Sequence, residues 1–417
     1  MKKVIILLHI FLFMGALASA NEVKSLTMDA FIRTAAEDYT LKNQKELNIY
    51  LENAPESTRY VDRIELRTKT EDFELEKQKY SMRFYPKGWG ETKYSGMVND
   101  ALKSTGETDY KDCYNKSLRN RYETVLDYLE TLEMISVKKR QAAVCKDMVT
   151  VLKKKSVSSV SFEIRDLIAA EEFLTELKLA LVKLRNNRAG ILHTINLTVN
   201  SEVPVAFDRK RLVSVNDIFK LKKNIAINDN ESINLLSMKN KVNLARNKYR
   251  LEKSKTRDYL SFFQVTYDTD EADDPQKAYS VEFGIKLPFI NSDQDDVNRK
   301  KLSYLQEKLK LEGERRAFSE KVTCLERSLE RMITQYAMLV DTNKNGSARS
   351  SYTTYLKMDG VDPLTILKIK ESILKNEIQR IETGYDIRKR YIDLLYTSGK
   401  LAQKPFTNYL EKKGRAK

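Results

Sequence analysis

The chain is written twice. Tyr80-Ser81-Met82-Arg83-Phe84 is answered 199 residues later by Tyr279-Ser280-Val281-Glu282-Phe283, and Tyr60, Ile64 and Leu66 are answered by Tyr259, Phe263 and Val265 at the same spacing. Farther along, Leu167 to Leu174 faces Leu367 to Leu374 at a spacing of 200. Three separate stretches that share one register indicate an internal duplication, so the fold has to be two copies of one supersecondary unit.

Each copy has the same order of parts. A helix over 25–57, and again over 229–258, leads into a strand pair, 60–69 with 77–86 and 259–268 with 277–289. A very long helix follows, 93–155 and 292–356, then a reversal and a returning helix, 161–195 and 363–397. The expected organisation is a signal peptide over 1–20, a first repeat over 21–197 and an equatorial connector over 198–228 that includes Pro204 and one short helix. A second repeat over 229–400 and a basic C-terminal tail over 401–417 complete it. The leader is read from Lys2 and Lys3, the apolar run from Val4 to Phe13 and the small residues Ala18-Ser19-Ala20, the three parts of a secretory signal.

The second strand pair alternates with period two. Tyr279, Val281, Phe283, Ile285, Leu287 and Phe289 point one way, and Ser280, Glu282, Gly284 and Lys286 the other, as a strand with one apolar face requires. Ile64, Leu66, Tyr80, Met82 and Phe84 form the apolar set of the first, more polar pair. An acidic loop, Asp270 to Asp274, ends in Pro275 between the second pair. The long helices carry packing stripes: Ile164, Leu167, Leu174, Leu177, Leu181 and Leu184 in the first copy, and Leu302, Leu305 and Leu309 followed by Val322, Leu325, Leu329, Met332 and Tyr336 in the second. Steps of three, four and seven suit antiparallel coiled-coil contact. A helix of roughly 60 residues reaches about 90 Å, too long for a compact core, so these helices must project.

Composition agrees with such a shape. Charged residues make up 32%, while glycine (13) and proline (7) are scarce, which favours long helices over a loop-rich domain. The net charge of +15 is spread among acids along helical faces, the pattern of a solvated surface rather than a nucleic-acid footprint. Beyond the leader, no stretch has the ~18 apolar residues a membrane helix needs. The chain could therefore enter a bilayer only as a closed barrel. Four strands cannot close one, so strands have to be shared between copies; two chains would supply 8 and three would supply 12. Beyond the leader only His193 remains of the two histidines. No glycine-rich phosphate loop, metal-ligand spacing or nucleophile–base pair is present, and neither an enzyme nor a cofactor is expected. The three cysteines are expected to be buried and unpaired: Cys113 and Cys145 lie on one helix about 48 Å apart, and Cys324 aligns between them near Tyr122 to Val125.

In order along the chain, several segments resemble the TolC-like outer membrane efflux proteins. Ser25 to Phe31 is similar to that family's opening, Ile285-Lys286-Leu287-Pro288-Phe289 to its strand-to-helix passage, Tyr355 to Val361 to its periplasmic hairpin, and Leu364 to Leu374 to its return helix. The resemblance spans nearly the whole chain after the leader. It implies a mostly α protein of long antiparallel coiled-coil hairpins with four β-strands per chain, three chains sharing a 12-stranded barrel in the bacterial outer membrane above a helical tunnel across the periplasm. It also implies a passive export duct, with a periplasmic adaptor and an inner-membrane transporter as partners. Ser158, Ser161, Gly360 and Val361 at the two reversals would be docking tips, and Asp359 and Asp362 would form an acidic ring at the entrance or, for Asp362 before Pro363, a helix cap. Two departures bear on how straight the tunnel is: Gly88, Gly90, Gly96 and Gly106 in the first copy, and Asn343 to Gly346 in the second long helix. The rival reading is a periplasmic coiled-coil adaptor or spacer whose hairpins pack as a soluble sheet.

Overall fold

The computed structural model describes residues 25–412 apart from 55–59, 71–76, 159–161, 203, 224–231, 258, 287–293, 346, 357 and 359. The expected signal peptide, Ser161, Asp359, and Leu287 with Phe289 lie outside the described residues.

The first copy opens with α1 (Met28–Arg33), a 3-10 turn over Thr34–Glu37 and α2 (Tyr39–Asn53). Strands β1 (Val61–Thr70) and β2 (Gln78–Pro86) follow, then α3 (Glu91–Ser158) and α4 (Ile164–Val199). After a 3-10 turn at Arg209–Arg211, the connector carries α5 (Val215–Lys223). The second copy runs α6 (Ile233–Lys255), β3 (Leu260–Asp268), a one-turn helix α7 (Pro275–Ala278), β4 (Tyr279–Ile285), α8 (Gln294–Asn345), α9 (Ser347–Tyr355) and α10 (Pro363–Thr397).

Two expectations change here. The helix expected over 25–57 gives way to a 3-10 turn at Thr34–Glu37 and is broken at Asp38, which leaves the helical conformation and caps a new helix, its carboxylate accepting from Thr40 N at 3.2 Å. The first long helix, by contrast, runs through Gly96 and Gly106 as 68 unbroken residues, about 100 Å. Gly106 lets α2 come close: a Cβ there would fall 2.5 Å from the Asn48 amide. In the second long helix Asn343 to Asn345, part of the expected interruption, are helical; Gly346 lies outside the described residues and helix is again present from Ser347.

Above the midpoint the helices stand in one row, α2 against α3, α3 against α6 and α6 against α8; below it, α4 packs on α3, α3 on α10 and α10 on α8. The row is a single layer, so its depth is one helix and most apolar side chains can be only partly covered. The exception is a belt at mid-height, where the main core lies. There Phe31 and Ile32 of α1, Tyr122 and Leu126 of α3, Ile218 of α5 and Tyr391 and Leu395 of α10 are fully buried. Loops fasten the belt. Leu26 and Val205 form a parallel bridge, and Val213 N donates to Leu410 O at 2.7 Å. The segment after 400 thus enters the core as far as residue 412: Leu401 and Leu410 are buried and Lys412 N reaches Arg211 O at 2.9 Å. No intrachain disulfide forms among the three cysteines. Cys145 is buried and Cys113 partly so, but Cys324 is exposed, against expectation, because it lies in a concavity of α8 lined only by that helix.

Candidate functional site

The four strands make one antiparallel sheet in the order β1-β2-β3-β4, with β2 and β3 joining the two copies. Registers place most of the apolar residues of all four strands on one face, with Phe262 on the other. Ile64, Phe84, Phe263 and Phe283 form one transverse row, Leu66, Met82, Val265 and Val281 the next, and Thr68, Tyr80, Tyr267 and Tyr279 the third. The period-two pattern is therefore continuous across the duplication, including the more polar first pair. Nothing among the described residues covers this face: Leu66 and Ile285 are each 75% exposed and Phe283 is 61% exposed. Its rings touch each other, Phe263 to Phe283 at 5.2 Å between centroids and Tyr267 to Tyr279 at 5.1 Å.

Aromatic residues with a polar end sit at both borders. The tyrosine row lies near the far turns. At the helix-proximal base are the exposed Tyr60 and Tyr259, and Trp89, the single tryptophan, just beyond β2. From Thr68 to Tyr60 is about 26 Å along an extended strand. Gly88 sets the passage beside Trp89 against the second copy, since a Cβ there would lie 2.4 Å from Ser254 O. Trp89 N donates to Arg257 O across the same junction.

The opposite face of the sheet is polar. Glu65 meets Arg67 at 2.5 Å, Arg63 at 3.1 Å and the Tyr85 hydroxyl at 3.1 Å. Arg83 donates to Gln264 at 2.6 Å and lies 3.9 Å over the Phe262 ring. The outer edges of β1 and β4 have no strand partner among the described residues.

At the other end of the molecule the two reversals come together. Lys155, near the end of α3, reaches the Asp362 carboxylate at 2.8 Å. Asp362 also caps α10, accepting from Leu364 N at 3.2 Å with Pro363 in the first turn. The Lys155 hydrogen bond, foremost, and the Leu364 N–H hold this carboxyl below the usual aspartate range. Gly360 turns the chain at φ +83°, a left-handed conformation that suits glycine. Val361 is half-buried, and Ser158 is the last residue of α3. The sequence reading did not single out Lys155, nor the apolar side chains beside it. Val157 is 90% exposed, and Leu356 and Met358 are also exposed; an apolar residue within a reversal carries no periodic signal. His193 is exposed on α4.

No helix among the described residues is long and apolar enough to cross a membrane. No protein-family model matches the sequence, and no curated protein matches it in sequence. The fold does match solved structures. The outer membrane channel MtrE of Neisseria gonorrhoeae, in its open state, superposes with a TM-score of 0.65 at 10% identity, covering 89% of this chain and 88% of that one. The Campylobacter jejuni CmeC outer membrane channel gives 0.64 at 11% identity over 89% and 85%. The outer membrane protein VceC of Vibrio cholerae gives 0.62 at 10% identity over 89% and 96%. The chain has the TolC-type fold of helical hairpins joined to a four-stranded sheet.

Proposed function

We propose that this protein is the outer-membrane duct of an export system, a passive conduit formed by three copies. The observation that carries this reading is the exposed sheet: one continuous apolar face bounded by tyrosine and tryptophan, one polar face, and two unpaired edges. Membrane barrels need an apolar band about 25 Å tall with aromatic girdles, a polar interior and no free edge. Strands of seven to ten residues are close to the ~9–11 that cross a bilayer when tilted. Edge β1 of one copy would pair with edge β4 of the next, and three copies give 12 strands. The helical row supports the same closure, because its flanks lack cover on one side. Leu47 and Tyr50 of α2 are exposed, as are Leu302, Leu305 and Leu309 of α8. These stripes are suited to meet between neighbours.

The fold's similarity to outer membrane channels favours the same use. No observation favours the soluble spacer, in which the sheet's apolar face would stay in water. The test is fractionation followed by electrical recording. The protein is expected to remain with outer membranes through a carbonate wash and to conduct in a planar bilayer. Release by carbonate would defeat the reading.

Docking of a periplasmic adaptor belongs to the tips. Gly360, Val361 and Ser158 lie about 90 Å of helix away from the sheet, and Val157, Leu356 and Met358 supply apolar surface there; Ser161, expected beside them, is proposed as part of the same tip from its sequence position alone. Asp362 serves there as cap and ion-pair partner to Lys155, which offsets the charge it could lend to an entrance ring. Val361→Glu with Ser158→Glu should leave assembly intact and abolish cross-linking to the adaptor and export. Full export by the double variant would remove the tips as the contact.

A further inference from the structure

Directly beneath the sheet, α6 and α8 enclose a groove of about 660 Å³. On α6 it is lined by Lys241, Lys248 and Lys255, seven residues apart, and on α8 by Arg299 and Lys300. Seven-residue spacing stacks side chains on one side of a coiled helix, so the three ammonium groups rise in a line toward the sheet. The carboxylates of the groove are already engaged: Glu252 with Lys255 at 3.4 Å, Asp296 with Arg299, and Glu307 with Lys310 at 2.6 Å. Lys248 and Lys300 have no carboxylate partner among the described residues, and Lys241 lies near enough to Asp109 on α3 to favour that carboxylate's charge. Five basic and three acidic side chains line the groove, so it carries a net positive charge, with Lys248 and Lys300 outside its internal ion pairs.

The duplication provides a control. At the 199-residue offset the first copy has Lys42, Ile49 and Glu56 for the three lysines, and Asp100 and Ala101 for Arg299 and Lys300. It nevertheless builds the same helix pair, α2 against α3, below the same kind of strand pair. The fold does not require the basic set, which is particular to the second copy.

We propose that this groove binds a phosphate-type oxyanion. Lysine ammoniums lining a concave site recognise phosphate as point charges, and the Arg299 guanidinium can add a bidentate contact by exchanging Asp296 for the ligand. The anion can come from either of two sources, a phospholipid headgroup at the membrane border or a solute in the tunnel. The proposal rests on the duct reading only for the position of the groove next to lipid.

The probe is inorganic pyrophosphate, titrated by calorimetry against the full-length protein in a neutral detergent. Saturable binding is expected, weakened at least tenfold by Lys248→Gln with Lys300→Gln and unchanged by Lys42→Gln in the first copy. In nanodiscs of phosphatidylcholine with a minor fraction of phosphatidylglycerol, native mass spectrometry would show retained phosphatidylglycerol, lost in the double variant, if the source is lipid. A pyrophosphate block of current in pure phosphatidylcholine bilayers, relieved in the double variant, marks a tunnel solute. Affinity that is unaltered by the double variant, or equally weakened by Lys42→Gln, overturns the proposal. Conductance of the same variants, measured alongside, shows whether the duct itself has failed.

Discussion

Trp89 is the residue through which the membrane reading can be tried most simply, because it is the only tryptophan and is 81% exposed at the base of the sheet. Indole at that level belongs to the interfacial belt. On reconstitution its emission should shift to the blue and be quenched by lipids brominated near the headgroup; emission and iodide quenching as in water would place the sheet outside the bilayer. Asp38 belongs to the belt. Burial opposes its charge, but hydrogen bonds from Thr40 and Ser117, and Arg121 at 3.1 Å, outweigh it and hold the carboxyl below the usual range. A depressed folded pKa contributes stability that is present above the unfolded value and lost as pH falls through the folded one. Asp38→Asn should therefore cost about 2 kcal/mol at neutral pH, the scale of a hydrogen-bonded charge. Measured by thermal melts, the difference from wild type should shrink and then vanish as pH falls below the ordinary aspartate value of about 4. A difference independent of pH would mean that the cap geometry, not the charge, is what matters.

At the scale of elements, the flank of α8 is decisive. Leu302, Leu305 and Leu309 form an exposed stripe on a helix whose other side packs on α6, and an exposed apolar stripe of this kind needs a partner. Leu305→Asp should leave the helical circular dichroism unchanged and shift the protein toward monomers in size-exclusion chromatography with light scattering; unchanged assembly would show that the stripe is not between copies. These elements were largely legible in the sequence. Period-two alternation identified the strands, and Asp362-Pro363 marked the start of α10 because a cap and a first-turn proline are local signals. What was not legible depended on distant residues. The break at Asp38 is a cap, but its carboxylate is held by Ser117 and Arg121, about eighty positions away. The burial of Leu401 and Leu410 follows from belt contacts that no periodicity announces. The Lys155–Asp362 pair joins the two copies at their tips and has no sequence signature, and the exposure of Cys324 reflects a helix face left open by this chain alone.

For the molecule as a whole, one sheet with two open edges and one row of helices with two open flanks are incomplete in the same direction. Closing the sheet closes the row, and the number of copies is set by how many four-stranded segments complete a barrel. The most direct measurement is the mass of the complex released by native mass spectrometry from nanodiscs into which the full-length protein has been reconstituted. Three chains per particle is the expected result; a particle holding a single chain, stably inserted, would contradict the account at its centre.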